Sequence, residues 1–293
     1  MNFEEQHAFY IASCEQAIAA EIKNHFQAGS MVSQAAEYSA LNGGKRVRGV
    51  LTLATSSLLG GGAAPAASFA AGVEMVHAFS LVHDDLPCMD DDDMRRGKPA
   101  CHIVYGEANA LLAGDLLAIA AFATLAGAPS QNAAMNNTAV QVLAAASGAK
   151  GMIYGQELDM LAEETPVDET GLHTIHQHKT GALIVAAAHL GIVAAGQSIA
   201  AHPAITQYAQ NLGAVFQIID DILDVTADET VLGKPTGSDD KNGKTTFVSL
   251  HGVAKARQIA TQLTQQAMNG LAEYGDKAEF LNQFAQTLLQ RVY

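Results

Sequence analysis

The apolar stretch FAAGVEMVHAFSLVH (69–83) runs directly into the acidic stretch DDLPCMDDDDMRRG (84–97). The apolar part shows none of the alternation of a half-buried strand and is long enough for about four helical turns. A helix that ends in a cluster of charge is typical of a helical bundle whose functional loops lie at one end. This boundary therefore predicts an all-α fold with a polar site at Asp84.

The rest of the chain repeats this pattern of apolar helices and charged loops. Hydrophobic residues make up 49% of the sequence, Trp is absent, and Ala and Leu dominate long stretches, which favours helix. Apolar periodicity predicts helices at residues 3–27, 32–42, 45–59, 65–86, 107–126, 132–160, 169–195, 203–226, 245–273 and 277–291. We expect a single domain over residues 1–293, built as one large helical bundle.

Charge and cysteine content exclude several classes of function. The formal net charge is −14, which argues against nonspecific nucleic-acid binding, because phosphate contacts need a basic surface. Cys14, Cys88 and Cys101 show no metal or disulfide spacing and are interpreted as free thiols in a reducing cytoplasm. The apolar stretch 110–128 contains Asp115, so we expect a buried core helix and no membrane insertion.

The first acidic motif holds six aspartates within ten residues: Asp84, Asp85, Asp90, Asp91, Asp92 and Asp93. Carboxylates packed this closely repel one another and need cations, and their hard oxygen atoms suit Mg²⁺. Arg95 and Arg96 follow at once, and an arginine fork beside carboxylates indicates a site for a metal and a phosphate. The alternative interpretation is a solvated acidic loop.

The second acidic motif is FQIIDDILD (216–224). Asp220 and Asp224 are four residues apart and share one helical face with Gln217, whereas Asp221 lies on a different face. A solvent-facing acidic edge is the alternative for this segment alone. If the two acidic helices face each other, their carboxylates can hold a shared set of Mg²⁺ ions.

Basic residues are few, so their positions are informative. The motif GGKRVRG (43–49) places Lys45 and Arg48 at a predicted helix start, where the helix N-terminus also favours anions. His77 lies seven residues before Asp84 and projects from the same face. Further cations are Lys179, Lys234, Lys241 and Lys244. For Lys179 and Lys244 the alternative is an ordinary surface lysine.

Together these segments resemble the trans-prenyl diphosphate synthases, most closely the bacterial short-chain farnesyl type. The resemblance covers nearly the whole chain and rests on GGKRVR, DDLPCMDDDDMRRGKP, GQELDM, HKTG, FQIIDDILD and LGKPTGSDDKNGKTT, in that order. It implies a cytoplasmic homodimer of all-α subunits, each a bundle around a central cavity. It also implies two or three Mg²⁺ ions per active site, held between the two aspartate motifs.

The resemblance also implies roles for individual residues. Metal ligands are expected at Asp84, Asp85, Asp90, Asp220, Asp221 and Asp224. Isopentenyl diphosphate is expected at Lys45, Arg48, His77 and Arg96, and the allylic diphosphate at Arg95, Lys179, Lys234 and Lys244. Thr180 and Gln217 are expected beside the reacting carbons, so that the catalytic set is Lys179, Thr180, Gln217 and Arg95. Phe79, a bulky aromatic residue just before the first motif, is expected to form the cavity floor.

The implied reaction is a Mg²⁺-dependent head-to-tail condensation. Isopentenyl diphosphate would add to dimethylallyl and then geranyl diphosphate, giving farnesyl diphosphate and diphosphate. Geranylgeranyl diphosphate synthesis is one alternative, and a non-catalytic subunit of a heteromeric synthase is another. A class I terpene cyclase is disfavoured because it needs no second diphosphate site. The chain ends in QRVY and lacks a strongly basic tail, which puts closure of the site by its C-terminus in doubt.

Overall fold

The computed structural model describes residues 1–130, 133–226 and 245–290. These residues are almost wholly helical, which confirms the predicted all-α class. The α-helices are α1 Phe3–His25, α2 Met31–Ala40, α3 Val47–Leu58, α4 Ala63–Asp84, α5 Cys101–Tyr105, α6 Glu107–Gly127, α7 Ala133–Ser147, α8 Met152–Glu164, α9 Glu169–His176, α10 Ala182–Ala194, α11 Pro203–Thr226, α12 Phe247–His251, α13 Val253–Gly270 and α14 Glu279–Leu289.

Short irregular elements complete the described chain. A π-helical turn, Gln177–Gly181, joins α9 to α10, and 3₁₀ turns occupy Ile199–Ala201 and Ala272–Ala278. Two antiparallel two-residue strands, β1 (Met94–Arg95) and β2 (Lys98–Pro99), pair within the acidic loop. This pair is the only β-structure in the described residues.

The helix predicted over 132–160 is wrong as a single element. It breaks between α7 and α8 at the sequence GAKG, because the backbone folds back on itself there. A side chain at Gly151 would place its Cβ 1.9 Å from the carbonyl oxygen of Ala146. The helix predicted over 245–273 also divides, into α12 and α13, at Gly252, whose φ of +74° lies in the region that favours glycine.

The described chain forms two compact units. Unit 1 consists of Met1–Leu143 and Leu190–Gly196, and unit 2 consists of Ala144–His189 and Gln197–Tyr293. Each unit has its own packed helices. The single domain expected over residues 1–293 stays a prediction.

Unit 1 is built on α4, which packs against α3 and α6. Gly72 lets α4 approach α6 closely, since a Cβ there would lie 2.0 Å from a methyl carbon of Leu125. Both α4 and α6 are long and apolar enough to cross a membrane. The most apolar window of α4 is 72% buried inside the protein, as expected of a core helix. The corresponding window of α6 is only 44% buried, so half of this apolar helix still faces outward.

Unit 2 is built on α11, which packs against α13 and α14. Its inward residues, including Val215, Ile218 and Ile222, join Phe247 in one apolar cluster. The buried Tyr208 hydroxyl donates a hydrogen bond to the carbonyl oxygen of Leu281, at 2.7 Å. These contacts fix α11 along its length and thereby position the second acidic motif near its C-terminal end.

Candidate active site

The first acidic motif begins where α4 ends. Asp84 is the last helical residue and Asp85 is the C-cap, with only 2% of its surface exposed. Arg95 donates two hydrogen bonds to one oxygen of Asp85, one of them from Nε at 2.8 Å, and it also pairs with Asp92 at 3.0 Å. Burial raises the pKa of Asp85, and the bound guanidinium of Arg95 opposes that shift. The structure therefore brings together two residues assigned from the resemblance to a metal and to a diphosphate.

The LPCM insert folds the acidic loop back on the end of α4. The backbone N–H of Asp90 donates to the carbonyl oxygen of Asp84 at 2.9 Å, and the N–H of Met89 donates to that of Leu86 at 2.8 Å. Asp91 takes a positive φ of 51° to complete the turn. Asp84 and Asp90, both predicted metal ligands, are thus neighbours in space although six positions apart in sequence.

These oxygen atoms suit Mg²⁺ in their chemistry. Among the residues that the structure describes, no three His, Cys, Asp or Glu side chains form a preformed metal site. Such a site is not required, because Mg²⁺ usually keeps several waters and is bound by one or two carboxylates together with substrate phosphates. The carboxylates at the end of α4 therefore fit Mg²⁺ in the presence of a diphosphate.

The predicted isopentenyl diphosphate residues also lie in unit 1. The side chain of Arg96 packs against the backbone of Gly43 and Gly44 and donates a hydrogen bond to the carbonyl oxygen of Gly43. A Cβ at Gly44 would lie 2.6 Å from the central carbon of the Arg96 guanidinium, so a side chain there would displace it. Arg48 is buried in the first turn of α3, and Lys45 is exposed just before it.

His77 lies close enough to these cations to feel their charge. Burial lowers the pKa of His77, and the positive charges of four arginines lower it further: Arg48, Arg96, Arg95 and Arg46. The imidazole is therefore neutral at pH 7 and able to take part in a hydrogen bond without repelling its neighbours. Arg46 and Arg95 are paired with carboxylates of the protein, so in a chain of net charge −14 Arg48 and Arg96 are the guanidiniums of this group that best fit an added anion.

In unit 2, the predicted Thr180 and Gln217 are in direct contact. The Thr180 hydroxyl donates to Gln217 Oε1 at 2.9 Å, and Gln217 Nε2 donates to Asp221 at 3.3 Å. The other oxygen of Asp221 accepts the backbone N–H of Phe247 at 2.8 Å. Asp221 is almost fully buried, so besides the ligand role implied for it, this side chain fixes Gln217 and the start of α12.

Lys179 lies in the π-helical turn and is held by a residue of α8. Its ammonium donates to Asp159 at 2.7 Å. The turn approaches α8 at Gly155, where a Cβ would lie 2.0 Å from the backbone nitrogen of Lys179. Gly155 and Asp159 both belong to the GQELDM motif, so the structure shows how this motif positions a predicted diphosphate ligand.

The remaining predicted site residues divide between the units or fall outside the described chain. Phe79 is half-buried in unit 1, with its ring 5.0 Å from that of His83 and nearly perpendicular to it. Asp220 and Asp224 lie in unit 2, on α11. Lys234 and Lys244 lie outside the described residues, as do the last three residues of QRVY.

Three charged residues outside the predicted set contact the predicted site segments: Arg46, Glu74 and Asp159. Glu74 is an acid inside an otherwise apolar helix, which by itself indicates that a buried partner exists. Asp159 follows Gly155 by one helical turn, which placed it on the face nearest the π-helical turn. Arg46 gave no separate signal beside Lys45 and Arg48.

Comparisons with known proteins match almost the whole chain. Residues 30–284 match a family described as polyprenyl synthetase. The chain is 42% identical to farnesyl diphosphate synthase of Escherichia coli over 99% of each protein. It is 44% identical to geranylgeranyl pyrophosphate synthase 3 of Arabidopsis thaliana, over 80% of this chain and 67% of that protein. A solved geranyltransferase of Helicobacter pylori, complexed with magnesium and isoprenyl diphosphate, has a TM-score of 0.83 and 34% identity over 97% of this chain and 96% of that one.

Proposed function

The chain belongs to the polyprenyl synthetase family, and we propose that it condenses isopentenyl diphosphate with dimethylallyl and then geranyl diphosphate to give farnesyl diphosphate. It is a prenyltransferase. The observation that carries the proposal is that unit 1 holds two groups of charge. One is the aspartate and Arg95 group at the end of α4, and the other is the cluster of Arg48, His77 and Arg96. An enzyme that binds two substrates, each with one diphosphate, needs both charged groups, whereas a cyclase needs only the first of them.

The residues fit an ionisation followed by an addition. Arg95 and Lys179 bind the allylic diphosphate and stabilise the charge that develops on it as it departs. The aspartates of the two motifs would hold Mg²⁺, which would supply further neutralisation of that diphosphate. Two or three ions per site are proposed from the family resemblance, and the H. pylori structure named above contains magnesium.

The second substrate adds through its double bond, so no protein nucleophile is needed. Lys45, Arg48 and Arg96 hold the diphosphate of isopentenyl diphosphate, and neutral His77 hydrogen-bonds to it. The coupled Thr180 and Gln217 turn fixed dipoles toward the allylic cation without reacting with it. The proton released from the new cation goes to the departed diphosphate, and the apolar helices around the site exclude the water that would otherwise capture the cation.

A second copy of the chain is the proposed partner of α6. Leu112 and Ile119 lie seven residues apart on one face of this helix and are 50% and 70% exposed. A two-fold interface buries the same patch on both copies, which accounts for an apolar helix that is only half covered. Light scattering should give a dimer, and Ile119→Glu should give a monomer. We place this dimer in the cytoplasm, where Cys14 and Cys101 stay reduced.

Geranylgeranyl diphosphate is the second candidate product, because the A. thaliana relative carries that activity in its name. The test is to incubate the purified chain with dimethylallyl diphosphate, isopentenyl diphosphate and Mg²⁺, and to separate the dephosphorylated products. A fifteen-carbon product supports farnesyl diphosphate synthesis, and a twenty-carbon product supports the alternative. If the chain alone makes neither, it is a subunit that needs a partner.

A further inference from the structure

The first turn of α3 is capped by a residue from a different helix. The N-cap, Arg46, has a left-handed backbone (φ 48°) and makes no capping hydrogen bond with its side chain. The N–H of Gly49, the third residue of α3, has no acceptor inside the helix, as is usual at this position. It donates instead to Glu74 Oε1 on α4, at 2.9 Å. Glu74 therefore takes the place that Ser, Thr or Asp takes in an ordinary N-cap.

Glu74 and Arg46 form a buried pair. Both side chains are 2% exposed, and Arg46 Nη1 lies 3.8 Å from Glu74 Oε2. Arg46 also donates to the carbonyl oxygen of Ala40 at 2.9 Å and lies 3.5 Å from Glu15. A buried charge without a partner is strongly unfavourable, so each member of this pair fixes the position of the other.

The packing leaves little freedom around this pair. A Cβ at Gly49 would lie 3.2 Å from Glu74 Cγ and 2.4 Å from Cys14 Sγ, so α3 meets α1 and α4 at a glycine. Arg46 stands between Lys45 and Arg48 in sequence. The backbone from which these two cations project is thus held by Arg46 and Glu74 from inside the protein.

We propose that Glu74 and Arg46 are positioning residues for the isopentenyl diphosphate site, because their buried pair fixes the first turn of α3 and with it Lys45 and Arg48. The inference rests on the proposed function of those two cations. It also corrects one expectation from the sequence. The anion nearest the start of α3 is the protein's own carboxylate, so the diphosphate is bound by side chains, without a contribution from the Gly49 amide.

Glu74→Gln is the informative substitution, since it keeps the size of the side chain and removes the charge that faces Arg46. We expect KM for isopentenyl diphosphate to rise roughly tenfold, with KM for geranyl diphosphate changed less than twofold. Cys14→Ala is the matched control, because it removes a fully buried atom beside Gly49 without altering charge. It should lower Tm and leave the ratio of the two KM values as in the wild type.

Two further measurements make the test decisive. If Glu74→Gln does not fold, the double variant Glu74→Gln, Arg46→Met removes both charges, should fold, and should show the same rise in KM. Hydrogen exchange at the Gly49 amide should be slow in the wild type and faster in a Glu74→Leu, Arg46→Met variant, which removes the acceptor as well as both charges, whatever reaction the protein catalyses. Equal changes in both KM values, or unchanged exchange at Gly49, would overturn the proposal. If the wild type makes no prenyl product, the proposed function is refuted. The exchange result then tests by itself whether Glu74 caps α3.

Discussion

Replacement of Phe79 by Ala should lengthen the product from fifteen to twenty carbons. Phe79 lies five residues before Asp84 on α4, which is ~7.5 Å along the helix axis. Its ring contacts that of His83, whose Nε2 lies 2.9 Å from the carbonyl oxygen of Leu111 on α6. Gly114 leaves room for this arrangement, because a Cβ there would lie 2.1 Å from the same nitrogen. His83 is anchored to α6 and does not fill the space that the phenyl ring vacates.

Phe69→Ala provides a matched control on the same helix. Phe69 is fully buried and lies fifteen residues before Asp84, ~22 Å along the axis. A fully buried Phe→Ala change costs about 3–5 kcal/mol, and the half-buried Phe79 should cost less. The substitution that lowers stability more is therefore expected to be the one that leaves the product length unchanged. Phe69→Ala should lower Tm more and keep the fifteen-carbon product, whereas Phe79→Ala should lower Tm less and give the twenty-carbon product.

The assay is chromatography of the dephosphorylated products, with thermal unfolding measured on the same preparations. A folded and active Phe79→Ala variant that still stops at fifteen carbons would show that the floor lies elsewhere. A twenty-carbon product from Phe69→Ala would show that general loosening of α4, and not the ring at position 79, sets the length.

Other substitutions test the charged groups. Asp84→Asn and Asp220→Asn should each reduce kcat more than 100-fold through loss of about 3 kcal/mol of electrostatic stabilisation, with little change in Tm; near-normal turnover in either would refute the two-motif metal site. Arg48→Ala should raise KM for isopentenyl diphosphate about 10-fold or more and affect the allylic substrate less, and an equal effect on both would show a wrong assignment. Asp159→Asn should raise KM for the allylic substrate several-fold by releasing Lys179, with Tm almost unchanged because the pair is partly exposed; unaltered kinetics would make this pair incidental. Chelation by EDTA should abolish turnover and added Mg²⁺ should restore it, so turnover that survives chelation would exclude the metal from the reaction.

The long helices were predictable because their signals are local. Helix α11 was expected over 203–226 and is observed at Pro203–Thr226, since a proline starts it and its apolar face is periodic throughout. The break between α7 and α8 was missed because the glycines of GAKG stand among alanines, where each is tolerated in a helix. The chain turns there because the backbone at Gly151 packs against the carbonyl oxygen of Ala146. This contact leaves no local pattern in the sequence.

The residue types of the site were predictable from the sequence, but the contacts that hold them in place were not. Only the resemblance assigned Thr180 and Gln217 to one site, and the hydrogen bond between them shows that they are in contact. The role of Glu74 depends on a contact with Gly49, 25 residues away, and long-range contacts leave no period in the sequence. Asp221 was expected on a face apart from Asp220, and its bond to the Phe247 backbone supplies the reason.

The π-helical turn Gln177–Gly181 acts as a phase shift in an otherwise continuous helix. Each residue of an α-helix advances the side-chain direction by about 100°. One extra residue in this turn therefore changes the direction in which every later side chain of the helix points. Leu172 and Ile175 before the turn and Leu183 and Ile184 after it all point into packed interiors, while Lys179 and Thr180 between them meet Asp159 and Gln217. Deleting one residue from QHKTG would restore a regular helix, but it would rotate either the core residues or the two site residues out of place. The residue count of this segment is therefore tied to the packing on both sides of it, whereas the length of an exposed loop is not.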